Sequence, residues 1–292
     1  MPAGNLEPDH LLGLVGAGIG PSLSPALHER EAAELGLRCH YQLWDLDHSD
    51  LPTDEVLARA RESGYDGLNV THPGKRAVIA HLDELSSEAA ALDAVNTVVF
   101  SNGRMIGHNT DWSGFARGLQ LRLPEAALDR VVLLGAGGAG AAVGHALLHL
   151  GADRVHVLDV DADRAERLAD ALREQFGSDR AGHGGGPAGA LAAADGLVHA
   201  TPTGMAAHPG LPLEAELLRP DLWVADVVYR PLETELLRAA RARGCTTLGG
   251  GAMVVFQAAD AFRLFTGREP DADRMLGHFA ELVRAEGEAH VG

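Results

Sequence analysis

Residues 131–134 are Val-Val-Leu-Leu, residues 135–140 are Gly-Ala-Gly-Gly-Ala-Gly, and residues 141–150 form an apolar run broken only by Gly144, His145 and His149. No formal charge occurs in the 22 residues from 131 to 152. That length suffices for a membrane-spanning helix. Four β-type residues running into clustered glycines do not continue as a helix, however, and a buried strand, a tight turn and a buried helix account for the run better. A strand without charge must be covered on both faces, which places it inside a sheet packed between helices.

The rest of the chain repeats this rhythm. Strand-like segments at 155–158, 197–200 and 223–227 follow, mostly separated by helical stretches. Upstream, strands are predicted at 11–17, 41–46 and 67–70, with a helix opening at Ser24-Pro25 and another at 54–61. Asn102-Gly103 between two β-type runs predicts a tight hairpin. Two amphipathic helices are expected at 253–265 and 272–284. Residues 177–189 hold Gly182, Gly184, Gly185, Gly186 and Pro187 and read as a surface loop without an inferable role. The fold class is α/β. With 292 residues and 46% apolar composition the chain supports two domains of modest size.

Residues 135–140 fit GxGxxG, a spacing that a Gly- and Ala-rich chain produces by chance. The context makes it informative. A strand enters the turn, a helix leaves it, and Asp159 closes the next strand 19 residues after Gly140. Gly135, Gly137, Gly138, Ala139 and Gly140 would bring backbone N–H groups at a helix start to a pyrophosphate, and Asp159 would accept from ribose hydroxyls. A purely structural glycine turn is the competing reading. A carboxylate at 159 repels a 2′-phosphate, so NAD is expected over NADP. Arg164 complicates this: an arginine there can bind a phosphate, stack on adenine or simply face water.

The chain holds 24 basic residues, of which one, Lys75, is lysine. With arginine in nearly every other cationic position, the retained lysine marks a place where positive charge alone is insufficient. Arginine does not release its proton in proteins; a lysine in a suitable setting does. Lys75 also ends Asn69-Val-Thr-His-Pro-Gly-Lys75, a polar loop directly after a strand.

That heptapeptide resembles the NVTxPxK signature of the shikimate dehydrogenase family. Five further motifs resemble the family in order along nearly the whole chain. They are Ser22-Leu-Ser24-Pro25, Ala94-Val-Asn96-Thr97, Gly107-His-Asn-Thr-Asp111 through Gly114, residues 200–205 (Ala-Thr-Pro-Thr-Gly-Met), and Asp226-Val-Val-Tyr229. Asp159 and the stretch 200–210 look most like the NAD-dependent quinate/shikimate dehydrogenases of actinobacteria. The NADP-dependent branch usually carries an Asn-Arg-Thr type cluster where this chain has Asp159-Val160.

The resemblance implies a substrate domain at 1–108, with 253–292 packing back on it, and a Rossmann domain at 109–252, the two flanking a cleft. It implies Lys75 and Asp111 as the catalytic acid/base pair. Ser22, Ser24, Asn69, Thr71, Asn96, Tyr229 and Gln257 would contact a small cyclic hydroxy acid. Thr201, Thr203, Met205, Val228 and Gly251 would join the glycine turn, Asp159 and Arg164 around the cofactor. Plainer roles compete: Ser22 or Ser24 as a helix cap, Asn96 as a turn residue, Asp111 as a cap. The implied reaction is reversible oxidation of the C3 hydroxyl of shikimate, quinate or both, in aromatic amino acid biosynthesis or quinate catabolism. Ser24, where quinate-using relatives often carry threonine, leaves room for a shikimate preference. Amino analogues as substrates, an NADP-dependent biosynthetic enzyme and an NAD-sensing regulator are the alternatives.

A net charge of −17 gives no reason to expect nucleic acid or anionic membrane as a partner. Cys39 and Cys245 make neither a disulfide framework nor a CxxC metal site, and residues 1–10 lack the pattern of a signal peptide. A cytoplasmic monomer or homodimer is expected. His145 and His149 stand four apart on a helix without a third ligand in the pattern, and no metal is expected.

Overall fold

The computed structural model describes residues 7–48 and 51–289. Part of the segment on which the absence of a signal peptide was read, residues 1–6, lies outside the described residues. The chain divides into two compact units, one running to Thr110 and resuming at Ala258, the other spanning Asp111–Gln257. These limits are offset from the expected 108/109 and 252/253. The second falls inside one continuous helix, Gly251–Thr266, whose sequence holds no helix breaker after its first residue.

The first unit runs β1 (His10–Gly16), α1 (Ser24–Glu34), β2 (Cys39–Asp45), α2 (Thr53–Glu62), β3 (Gly67–Val70), α3 (Gly74–Ala77), β4 (Glu84–Leu85), α4 (Ser87–Leu92), β5 (Thr97–Ser101) and β6 (Arg104–His108). Its sheet has the order β2-β1-β3-β5-β6-β4. The β1 pairings with β2 and β3 are parallel, whereas β3–β5 and β5–β6 are antiparallel. The hairpin imposes the antiparallel β5–β6 pairing. Asn102 and Gly103 adopt φ of 51° and 77°, which a two-residue turn with the sheet's twist requires at both positions.

In the second unit α5 (Asp111–Arg122) precedes β7 (Arg130–Leu134), α6 (Gly138–His149), β8 (Arg154–Leu158), α7 (Ala162–Phe176), β9 (Ala181–His183), α8 (Pro187–Leu191), β10 (Gly196–His199), β11 (Trp223–Asp226), α9 (Glu235–Ala242) and β12 (Thr246–Leu248). All pairings in this sheet are parallel, in the order β12-β11-β10-β7-β8-β9. That is the doubly wound order, and the strand direction of progression reverses between β7 and β10. Val131, Val132, Leu133, Val155, Val157, Leu197 and Val224 are all buried, as strands covered on both faces must be.

Residues 177–189 are not one loop. β9 extends the sheet beside β8, pairing Val155 with Ala181 and Val157 with His183. Glycine at 182 suits that edge, because a Cβ there would sit 2.8 Å from the Arg154 guanidinium. Pro187 opens α8, since its missing N–H costs nothing in a first turn. The expected capping role for Ser24 is also corrected. Ser24 is the first residue of α1, and Ser22 Oγ accepts its N–H at 3.2 Å.

The last two helices, α10 (Gly251–Thr266) and α11 (Ala272–Ala289), settle what the pattern left open. Ala261 and Phe265 join Leu12, Leu14 and Tyr41 in a core cluster of the first unit. Arg274 donates to both carboxylate oxygens of fully buried Glu31, at 2.6 and 3.0 Å, and so fastens α11 to α1.

Candidate active site

In the first unit the motif residues meet as one hydrogen-bonded run. Ser22 donates to Ser24 at 3.1 Å, and Ser24 bonds the Tyr41 hydroxyl. Tyr41 donates to Asn69 Oδ1 at 2.8 Å. Asn69 Nδ2 donates to Thr97 Oγ1 at 3.0 Å and to the Asn96 carbonyl at 3.3 Å. Thr97 Oγ1 donates to Asn96 Oδ1, which also accepts the Thr110 N–H at 2.7 Å. Four separated motifs thus become neighbours. Both amide hydrogens of Asn69 are committed inside the protein, and its carbonyl oxygen, which accepts from Tyr41, has one acceptor position left.

Tyr41 completes this run without any motif announcing it, and Thr97, the last residue of the 94–97 motif, joins it although no role was expected of it. Burial pushes the Tyr41 phenol far above its ordinary pKa and keeps it a donor. Its ring lies 4.8 Å from that of His28, which is fully buried against Phe262 and Phe265 as well. Burial holds the His28 pKa down at about 3, so the ring is neutral.

Lys75 sits in the single turn of α3, half-buried. Its carbonyl accepts the Val95 N–H at 2.8 Å, and Val70 N–H donates to the Asn96 carbonyl at 2.8 Å. These two bonds tie the loop after β3 to the segment before β5, placing Lys75 beside the amide run. Thr71, at the head of that loop, donates its N–H to Val15. A Cβ at Gly16 would fall 2.3 Å from the Thr71 methyl, so the first strand must be bare there.

The second unit places the glycine turn at the carboxyl end of β7, beside the loop after β10. Gly135 has φ of 106°, and a Cβ on it would lie 2.6 Å from the Ala200 carbonyl. A Cβ at Gly140 would lie 2.0 Å from the Gly135 carbonyl. These glycines allow close packing. Gly137 and Gly138 differ, because nothing lies within 4 Å of either Cβ position. Bare backbone facing open space at the start of α6, with Ala139 following, fits a pyrophosphate.

Asp159 follows β8 directly and fastens two backbone N–H groups. Its Oδ2 accepts the Ala136 N–H at 2.8 Å and its Oδ1 the Asp161 N–H at 2.9 Å. Each oxygen retains acceptor capacity for a ribose hydroxyl. Arg164 is engaged elsewhere, since its Nε donates to Asp161 Oδ2 at 3.0 Å on the surface. Around the carboxyl end of β10, Thr201 Oγ1 accepts the Thr203 N–H at 3.2 Å, and Met205 is 42% exposed. Val228 is buried, while Tyr229 and Gly251 are half-buried. Asp111 opens α5 and is buried. Gln257 Nε2 donates to the Val254 carbonyl one turn back, and Gly114 lets α5 approach α10 at that point.

A hollow of about 390 Å³ lies elsewhere in this unit, walled by Arg130, Val132, Arg154, His156 and Gly184–186. None of the expected cofactor residues lines it. His145 donates to or accepts from Gln175 at 3.0 Å and packs with His149 on Trp112. Among the described residues no group of three His, Cys, Asp or Glu side chains is placed to hold a metal, and no helix is long and apolar enough to cross a membrane.

Comparison with known proteins decides the family. Residues 14–98 match the model of the shikimate dehydrogenase substrate binding domain, and residues 252–277 that of the shikimate 5'-dehydrogenase C-terminal domain. A protein of Streptomyces avermitilis named shikimate dehydrogenase (NADP(+)) is 62% identical, over 95% of this chain and 97% of its own. The chain belongs to the shikimate dehydrogenase family. A family member from Corynebacterium efficiens named quinate/shikimate dehydrogenase (NAD(+)) is 50% identical, over 93% of this chain and 98% of its own. The structure of quinate dehydrogenase from Corynebacterium glutamicum in complex with NAD superposes with a TM-score of 0.90. It is 48% identical and covers 93% of this chain and 99% of its own. The α/β architecture is that of these dehydrogenases.

Proposed function

We propose that the protein is an NAD-dependent dehydrogenase. It reversibly oxidises the C3 hydroxyl of shikimate, quinate or both, to 3-dehydroshikimate or 3-dehydroquinate. The observation that carries this reading is the position of Lys75. The chain's one lysine is fastened through Val95 beside a run of neutral donors and acceptors, Ser22, Ser24, Tyr41, Asn69, Thr97 and Asn96. A cyclic polyol acid presents hydroxyls that differ mainly in position, and a fixed fence of neutral groups distinguishes positions.

Alcohol oxidation removes a hydride and a proton. When bound, the nicotinamide ring supplies the hydride acceptor. Lys75 takes the proton at the C3 hydroxyl oxygen and returns it in the reverse direction, with Asp111 as its acidic partner. Gly137, Gly138 and the start of α6 would hold the pyrophosphate, and Asp159 the ribose hydroxyls. Asp161 and Asp163 follow Asp159, and Arg164 is already bound to Asp161, so a 2′-phosphate would meet acids and a cation engaged elsewhere. This supports NAD. The 62% identity to a relative named for NADP(+) favours a second reading, an NADP-dependent shikimate dehydrogenase.

Initial rates with shikimate and with quinate, each with NAD and with NADP, test both. Turnover with NAD is the expected result. Faster turnover with NADP selects the second reading, and no turnover in any combination overturns both.

A further inference from the structure

At the carboxyl edge of the second sheet lies a buried polar cluster in which His199, outside every motif, joins Asp226 of one motif to Thr201 of another. His199, the last residue of β10, and Asp226, the last of β11, are 0% and 2% exposed. The strands are adjacent, and the register sets the two residues side by side. His199 Nδ1 donates to Asp226 Oδ1 at 2.9 Å. Oδ1 also accepts the Val228 N–H at 3.0 Å, and Oδ2 accepts the Thr234 hydroxyl at 2.6 Å. Thr234 in turn caps α9 through the Leu237 N–H. With the imidazole proton on Nδ1, Nε2 accepts the Thr201 hydroxyl at 2.5 Å. Thr201 Oγ1 then keeps its lone pairs for the Thr203 N–H and one further donor.

One carboxylate therefore governs both loops at this edge. It fixes the loop after β11 directly at Val228 and the loop after β10 through His199 and Thr201. A buried ionisable pair is costly unless its hydrogen bonds are filled. Here every polar atom of the pair is bonded, and the imidazole's outer bond runs to the loop that follows β10. A hydrophobic pair of similar size would close the core equally well but would leave Thr201 and Val228 without a fixed orientation.

We propose that His199 and Asp226 are positioning residues that set loops 201–205 and 227–229 to receive the nicotinamide end of the cofactor. They act through Thr201 and Val228 and do not touch the reacting atoms. The inference rests on the cofactor reading given above: with the pyrophosphate at the end of β7 and the adenine-side ribose at Asp159 after β8, the nicotinamide half would extend over β10 and β11 on the other side. It goes further in assigning the nicotinamide-side geometry to a buried pair.

The test compares His199→Leu, which removes both bonds, with His199→Asn, whose amide nitrogen overlays Nδ1 and keeps the Asp226 contact. Dissociation constants for NADH and for ADP-ribose, which lacks the nicotinamide, are measured with kcat. For His199→Leu the expected result is at least tenfold weaker NADH binding and tenfold lower kcat, with ADP-ribose affinity within twofold of the parent. His199→Asn keeps the Asp226 bond but not the bond to Thr201, and is expected to share both losses, with kcat and NADH affinity between those of His199→Leu and the parent. Should His199→Leu not fold, Thr201→Val removes the hydroxyl without changing shape, and the same split is expected. NADH affinity and kcat within twofold of the parent in these variants overturn the proposal. So does an equal loss of ADP-ribose affinity, which would assign the pair to the stability of the whole unit. A parent enzyme that binds neither NADH nor NADPH overturns the cofactor reading itself, a result visible before any variant is made.

Discussion

The two units build their binding surfaces from opposite materials. In the first, the surface consists of side chains: Ser22, Ser24, Tyr41, Asn69, Thr97 and Asn96 hold each other by hydrogen bonds. In the second, the surface at the glycine turn is backbone with side chains withheld, and Gly137 and Gly138 face open space. On the proposed reading the difference follows from what each would recognise. A ring of hydroxyls is told apart by donors and acceptors at fixed places. A pyrophosphate is held by N–H groups that any side chain would keep at a distance.

Four changes would break or sharpen this contrast. The largest effect is expected at Lys75. Lys75→Ala should lower kcat by about 10²–10⁴-fold, the range of a general acid/base, while NAD affinity in the other unit stays within twofold. Lys75→Arg should lose as much, since it keeps the charge but not the proton exchange. Steady-state rates and a cofactor titration check both, and near-parental turnover in either would remove Lys75 from the mechanism.

Next is the buried ion pair of the first unit. Arg274→Leu removes the cation from the buried Glu31 carboxylate, which keeps the Asp271 N–H, and should cost that unit about 3 kcal/mol in chemical denaturation, the low end for a broken buried pair. Restoration by the double change Glu31→Leu with Arg274→Leu would show that the penalty belongs to the stranded charge.

The glycines of the second unit should separate by what lies beside them. Gly140→Ala forces a Cβ onto the Gly135 carbonyl and should cost about 1–3 kcal/mol of stability. Gly137→Ala meets nothing within 4 Å and should leave the melting temperature nearly unchanged, yet raise KM for NAD severalfold. Equal melting losses in the two variants would contradict the open-space assignment.

The last test concerns pH. His28 has a folded pKa of about 3, well below the ordinary histidine value of 6.5. Between these values the unfolded chain binds a proton that the folded chain refuses. Stability from this residue is therefore whole above pH 6.5 and falls on acidification toward pH 3, by up to about 1.4 kcal/mol per pH unit. His28→Phe should flatten that part of the profile, and an unchanged slope in denaturation at pH 7 and pH 5 would discount the burial.

The same contrast explains what the sequence disclosed. Spacing of bare glycines is a local pattern, so Gly135–Gly140 and the Asn102-Gly103 turn were legible directly. The side-chain surface was legible only through motif resemblance, because its members are brought together by β1–β3 and β3–β5 pairing and not by spacing. Tyr41 lies in an ordinary strand and carries no local signal. His199 does carry one: a histidine inside an otherwise apolar strand, Gly-Leu-Val-His, has to find partners once buried. The strand β9 escaped the pattern because an edge strand of three residues with a central glycine looks like loop.

The bond from the Ala136 N–H to Asp159 has a consequence for redesign. On the proposed NAD reading, replacing Asp159 to admit a 2′-phosphate removes the repulsive charge and simultaneously unmoors the turn proposed to carry the pyrophosphate. A single substitution at 159 would thus loosen affinity for both nucleotides before it exchanged one for the other. Converting the preference calls for a paired change, one residue to welcome the phosphate and another to restore an acceptor for Ala136, and the two would be worth more together than the sum of each alone.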